Sequence, residues 1–165
     1  MTELSLREQL QPSLLDRLTD HEPHKTVESR DQRTMSVDKL RQYVLRDLGW
    51  LLNTGNLSQI ENLDEYPEAK HSVVNYGTPD LSGRVISSTD IPWLEESMRR
   101  AVWNFEPRIL RQSVRVQVIV DETTMGRNSL TFQIEGTLWA QPMPIRLLLK
   151  TEVDLETGHV EVVED

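Results

Sequence analysis

The chain has 165 residues, a formal net charge of −9, 37% hydrophobic residues, 5% aromatics and no cysteine. Such a length fits one domain with short appendages around a modest aliphatic core. The acidic balance argues against nucleic-acid binding, which needs clustered Lys and Arg, and the missing thiols exclude a disulfide framework or a thiolate metal site. MTELSLREQL at the start lacks an apolar h-region and no run approaches a membrane span, so a soluble cytoplasmic protein without membrane insertion is expected.

Residues 4–18 form a short helical candidate with Leu14, Leu15 and Leu18 on a small apolar face, Ser13 as a cap and Pro12 as punctuation. That face can pack on the protein's own core or dock on a neighbour. TDHEPHKTVESRDQRT, 19–34, is polar enough for a linker. Residues 1–34 therefore read as a short helix and linker, and 35–165 as a single domain. Ser36 caps a helix in which Val37, Leu40, Val44, Leu48 and Leu51 recur at three and four, with Asp38 suiting its N-terminal dipole and Gly55 ending it. From 56 to 89 the pattern is irregular, and NYGTPDL, 75–81, is turn chemistry throughout.

Asp90 caps a second amphipathic helix with Leu94, Met98, Ala101, Val102 and Phe105 on one face. Pro107 stops it, because the ring lacks an N–H and disfavours helical geometry at Glu106. The period then changes. Val114, Val116, Val118 and Val120 alternate with Arg115, Gln117 and Ile119, the signature of a strand with one buried face. SLTFQIEGTLWA buries Leu130, Phe132, Ile134 and Leu138, with Trp139 pointing the other way; PIRLLLKTEVD and VEVVE follow, the latter after a turn at Gly158. Strands with short connections make an antiparallel meander. The predicted fold is α+β, N-terminal helices packed on a C-terminal four-stranded antiparallel sheet.

Convergent reactive groups are scarce. His21, His24, His71 and His159 are scattered, and the first two lack further ligands at metal spacing. Glu106 with Asp80 or Glu135 could supply a carboxylate pair, but any acidic chain offers such pairs, and Arg108 beside Glu106 favours its charged form. The glycines are spread singly, and there is no Gly-x-Ser-x-Gly elbow. Neither an enzyme nor a cofactor is expected. Local physics leaves Glu106 and Arg108 as an intramolecular salt bridge or a helix cap in which Arg108 meets orphan carbonyls.

SLLDRL (13–18), VLRDLGWLLNT (44–54), SVVNYGTPDL (72–81) and FEPRI (105–109), in this order before an alternating β half, resemble the TssE family. These are baseplate proteins of bacterial type VI secretion systems, related to the contractile-phage baseplate wedge proteins that start sheath assembly. Gly55 departs from the Arg or Lys common there. The resemblance implies a non-enzymatic assembly protein that binds the wedge proteins TssF and TssG, touches the TssB/TssC sheath, and meets other baseplate and hub proteins, in a cytoplasmic baseplate docked at the inner membrane. It carries Glu106, Pro107 and Arg108 over as partner-binding residues, with Asn75, Tyr76 and Asp80 shaping the adjacent surface. The last segment, 151–165, holds six acidic residues and no Lys or Arg. An open strand edge there, at Val160 and Val162, would pair with a basic arm of the first sheath subunit; a solvated tail is the plainer explanation. Regulatory anti-adaptors of the same fold group are the alternative function.

Overall fold

Ser13 accepts from the Asp16 N–H and caps the single-turn helix α1, Leu14–Leu18, and Ser36 accepts from the Lys39 N–H to cap helix α2, Val37–Leu52. The computed structural model describes residues 13–19, 23–24, 36–84, 86–87, 89–119, 129–139 and 144–164. Residues 4–12 of the first helical candidate, most of the 19–34 linker, Val120 and the DETTMGRN and QPM segments lie outside the described residues. Leu40, Val44, Leu48, Leu51 and Leu52 of α2 are buried, while Val37 stays exposed. The helix ends at Leu52, three positions before Gly55. Its C-cap is Asn53, whose N–H and side-chain amide both donate to the Gly49 carbonyl.

The irregular stretch that follows contains a short helix α3, Pro67–Lys70, and 3-10 turns at Leu57–Gln59 and Val73–Asn75. It closes on the end of α2 through Thr78 N–H to the Thr54 carbonyl at 2.8 Å and Asn56 N–H to the Thr78 carbonyl at 3.1 Å. Gly77 makes this closure feasible: its φ is +122°, and a Cβ there would stand 2.2 Å from the Thr54 carbonyl oxygen.

Helix α4, Ile91–Phe105, buries Leu94, Met98, Ala101 and Val102 of the predicted stripe and leaves Phe105 half-buried. Asp90 holds the N-cap position, but its carboxylate turns back to accept from the Ser87 N–H and hydroxyl instead of from the helix. Strands β1 (Arg115–Ile119), β2 (Ser129–Leu138), β3 (Ile145–Asp154) and β4 (Val160–Glu164) then form an antiparallel sheet in the order β1-β2-β3-β4.

The register aligns alternate residues into one buried layer. Val118, Phe132, Thr151 and Val162 are cross-strand neighbours, as are Val116, Ile134 and Leu149. α4 packs against β1, α2 against β4, and the two helices against each other. Both apolar stripes are thereby buried on one sheet face, the arrangement the sequence predicts. Thr151, fully buried in that layer, satisfies its hydroxyl by donating to the Phe132 carbonyl. The opposite face carries Arg115, Gln117, Gln133, Arg146, Lys150 and Glu152, the polar surface of a one-sided antiparallel sheet.

Candidate functional site: the Glu-Pro-Arg corner and the sheet edge

Glu106 is the C-cap of α4, its N–H still bonded to the Val102 carbonyl at 2.9 Å. Pro107 then turns the chain. Residues 108–110 run beside the end of β2, with Leu110 N–H donating to the Thr137 carbonyl at 2.9 Å and Trp139 N–H to the Arg108 carbonyl at 2.7 Å. Gly136 gives them room, because a Cβ on it would approach Ile109 Cγ2 to 2.7 Å. The corner is thus stitched to the sheet by its backbone.

Its charges turn inward. Glu106 is only 3% exposed. Arg108 donates from Nε to Oε1 at 2.7 Å and from Nη2 to Oε2 at 2.5 Å, and the Arg108 N–H adds a bond to Oε1 at 3.1 Å. The same Nη2 reaches Asp47 Oδ2 on α2 at 2.5 Å. Arg46 takes the other Asp47 oxygen at 2.7 Å and meets Asp16 of α1, also at 2.7 Å. The chain Glu106–Arg108–Asp47–Arg46–Asp16 therefore ties α4, α2 and α1 together. Burial disfavours the Arg108 charge, but hydrogen bonds and charges from Glu106, then Asp47, outweigh it and hold the guanidinium above its ordinary pKa. Arg108 Nη1 is buried without a hydrogen-bond partner.

This is the intramolecular salt bridge that local physics allows, a bidentate fork onto a buried carboxylate. The helix end is capped elsewhere: Arg111 Nε donates to the Trp103 carbonyl at 3.1 Å. Pro107 is exposed, and the Arg108 side chain keeps 22% of its surface.

The other predicted residues divide. Tyr76 joins the corner, packing edge-on against Phe105 at 5.2 Å, and its phenol is pushed up by burial, then by Asp47 and Glu106. Asn75 works one layer away, accepting from Ser58 N–H and Oγ and donating to the Lys70 carbonyl, which clips the two 3-10 turns together. Asp80 lies by the turn between β3 and β4, where it accepts from the Ser82 N–H and stands 3.0 Å from the Cβ position of Gly158. Asp80 makes no hydrogen bond to the corner residues among the described residues.

At the sheet edge Val160 is buried, and its outward backbone groups are already taken: Asn53 Nδ2 donates to the Val160 carbonyl at 2.8 Å and Asn53 Oδ1 accepts from its N–H at 2.9 Å. Asn53 plays the part of a neighbouring strand. Asp154 N–H donates across to the His159 carbonyl, so antiparallel alternation turns the backbone groups of Glu161 toward β3 and those of Val162 outward. Among the described residues, the part of the edge without a hydrogen-bond partner begins at Val162. On the far side, Glu95 of α4 accepts the outward Val118 N–H of β1 at 2.8 Å.

Sequence reasoning singles out none of Asp47, Arg46, Asp16, Asn53 and Glu95 as site residues, although all but Glu95 lie in the SLLDRL and VLRDLGWLLNT motifs. Arg108 and Asp47 are 61 positions apart, and no local spacing encodes such a contact. The arginine–aspartate pair in VLRDLGWLLNT, on a helix whose other face is apolar, is the one available signal.

A domain whose buried charges tie its helices together, and whose final strand has no strand partner on its outer edge among the described residues, is built as a structural module. The family described as baseplate wedge protein gp25 matches residues 38–143, and the chain belongs to that family, which is the TssE family of structural baseplate proteins. The match takes in α2, the corner, β1 and β2; α1, β3 and β4 lie beyond it. Searches among curated proteins and among solved structures found no significant match. Among the described residues no helix is long and apolar enough to cross a membrane.

Proposed function

We propose that this protein is a structural component of a type VI secretion baseplate, binding TssF and TssG and templating polymerisation of the TssB/TssC sheath. The observation that carries the reading is the outward-facing edge of β4 at Val162, in a chain of the baseplate wedge family. An extended arm of the first sheath subunit adds a strand there. Backbone hydrogen bonds set its register, and the six acidic residues of 151–165 favour a basic arm. Asn53 marks where the added strand must stop, before Val160.

At the corner, Pro107, the accessible edge of Arg108 and Tyr76 form the wedge-facing surface. Glu106 acts behind them as the buried counterion that fixes the guanidinium. Asn75 and Asp80 serve by fixing the turns within the 56–84 segment. Residues 35–165 act as one domain with 1–34 appended, α1 being anchored through Asp16. The assembly sits in the cytoplasm, docked at the inner membrane, with other baseplate and hub proteins as further contacts and no turnover.

Val162→Pro tests the edge. It removes an outward N–H while sparing the bonds that Glu161 makes to β3. Reconstituted baseplates carrying it should retain TssF and TssG but fail to start sheath; normal sheath initiation would sink the templating idea. Pull-down of a response-regulator adaptor in place of wedge and sheath proteins would replace the reading with the anti-adaptor one.

A further inference from the structure

Between the 56–84 segment and one face of α4 lies an open groove of about 470 Å³. On a chain of net charge −9 the charged side chains of its lining are all basic, Lys70, Arg84 and Arg100, with the imidazole of His71 beside them. Lys70 and Arg100 each hold one carboxylate, Asp64 at 2.8 Å and Glu96 at 3.0 Å, outside the lining. Arg84 is exposed and makes no side-chain hydrogen bond or ion pair among the described residues; it lies only in the field of Asp80 and Asp90. His71 is likewise exposed.

Two further features narrow the occupant. Asn56, also in the lining, has its Oδ1 buried without a donor among the described residues, an acceptor that costs free energy until an N–H reaches it. A carboxylate or phosphate alone brings no such donor, whereas a peptide backbone does. Trp93, seven positions before Arg100 and so on the same helix face, is 48% exposed in the lining. Ile60, Val73 and Val74, in the turns that supply the opposite wall, are exposed as well but lie outside the lining. Apolar surface beside cations fits a segment carrying both acidic and apolar side chains.

We infer that this groove docks an acidic, amphipathic peptide segment of a protein partner. Carboxylates meet Arg84 and Arg100, a backbone N–H meets Asn56, and an apolar side chain covers Trp93. The inference does not depend on the type VI assignment, because it rests on the groove's own side chains; Asn75 and Phe105 of the lining adjoin the corner, whereas Arg84, Trp93 and Arg100 belong to neither the corner nor the β4 edge. Association steered by such charges weakens with salt.

The test is to pan a random short-peptide phage library on the immobilised full-length protein, then to measure binding of the enriched peptide by fluorescence anisotropy. Enriched sequences should combine Asp or Glu with Leu, Phe or Trp. Arg84→Glu, which disturbs no ion pair, should weaken binding at least about tenfold with an unchanged unfolding curve, and Trp93→Ala should weaken it too. Millimolar inorganic phosphate should not displace the peptide. Failure to enrich, enrichment without acidic bias, equal binding to Arg84→Glu, or full displacement by phosphate would each overturn the proposal, the last by reducing the groove to a simple anion site.

Discussion

Arg108→Met would strand the Glu106 carboxylate, 3% exposed, without its counterion. Breaking one side of a buried pair costs about 3–5 kcal/mol, because the remaining charge has lost both its partner and its water. Replacing both partners, Glu106→Leu with Arg108→Met, should cost less than roughly half as much, since no buried charge is left behind. Urea unfolding of the three variants checks this. Equal losses in the single and double variants would mean that the corner's value lies in its backbone and not in the pair. The Glu-Pro-Arg triplet was legible in the sequence as a helix stop with opposed charges, but the direction of those charges was not. Glu106 points inward onto Arg108, whose guanidinium also reaches Asp47 on a different helix.

Elements in this fold are held at their edges by single side chains, and Asn53 is the clearest case. It ends α2 and completes β4 at once, bonding both outward groups of Val160. Asn53→Ala should lower stability by about 1–3 kcal/mol, the cost of unmade hydrogen bonds at a partly buried backbone, and should lengthen the open edge. Urea unfolding measures the first effect and light scattering the second; a variant as stable and as monodisperse as the parent would refute the clamp. Acid should loosen the same region. Asp154 is held below its ordinary value of 3.8 by the Thr157 N–H, then by that of Glu156, and Asp80 is lowered by the Ser82 N–H and side chain. A depressed carboxylate contributes its stability fully above the ordinary value and loses it as pH falls through the lower folded value. The Glu156 and Thr157 amide shifts should therefore move only below pH 3.8, and a flat profile there would dismiss the turn's dependence on Asp154. The helix boundaries show the limits of local signals. Gly55 reads as a stop, yet the helix ends earlier at Asn53, because the strand it must meet lies more than a hundred positions away.

Over the whole molecule, α1 is docked by its polar side. Leu14, Leu15 and Leu18 are 72%, 49% and 75% exposed, whereas Asp16 is buried against Arg46. Asp16→Asn keeps an acceptor for Ser13 but removes the charge that Arg46 meets. It should raise amide exchange in α1 while changing global unfolding by less than about 1 kcal/mol, since so short a helix adds little apolar burial. Unchanged exchange would show that something other than this ion pair holds α1. The sequence by itself determined the two amphipathic helices, the period-two strands, the meander and their packing into an α+β domain, because each rests on local periodicity and turn chemistry that neighbouring residues carry. Only the tertiary structure decided where the polar side chains spend their bonds: Glu106 inward, Asn53 on Val160, Glu95 on Val118, and α1 with its leucines outward. Those choices depend on groups far apart in the chain that folding brings within hydrogen-bond distance, and no period or spacing records them.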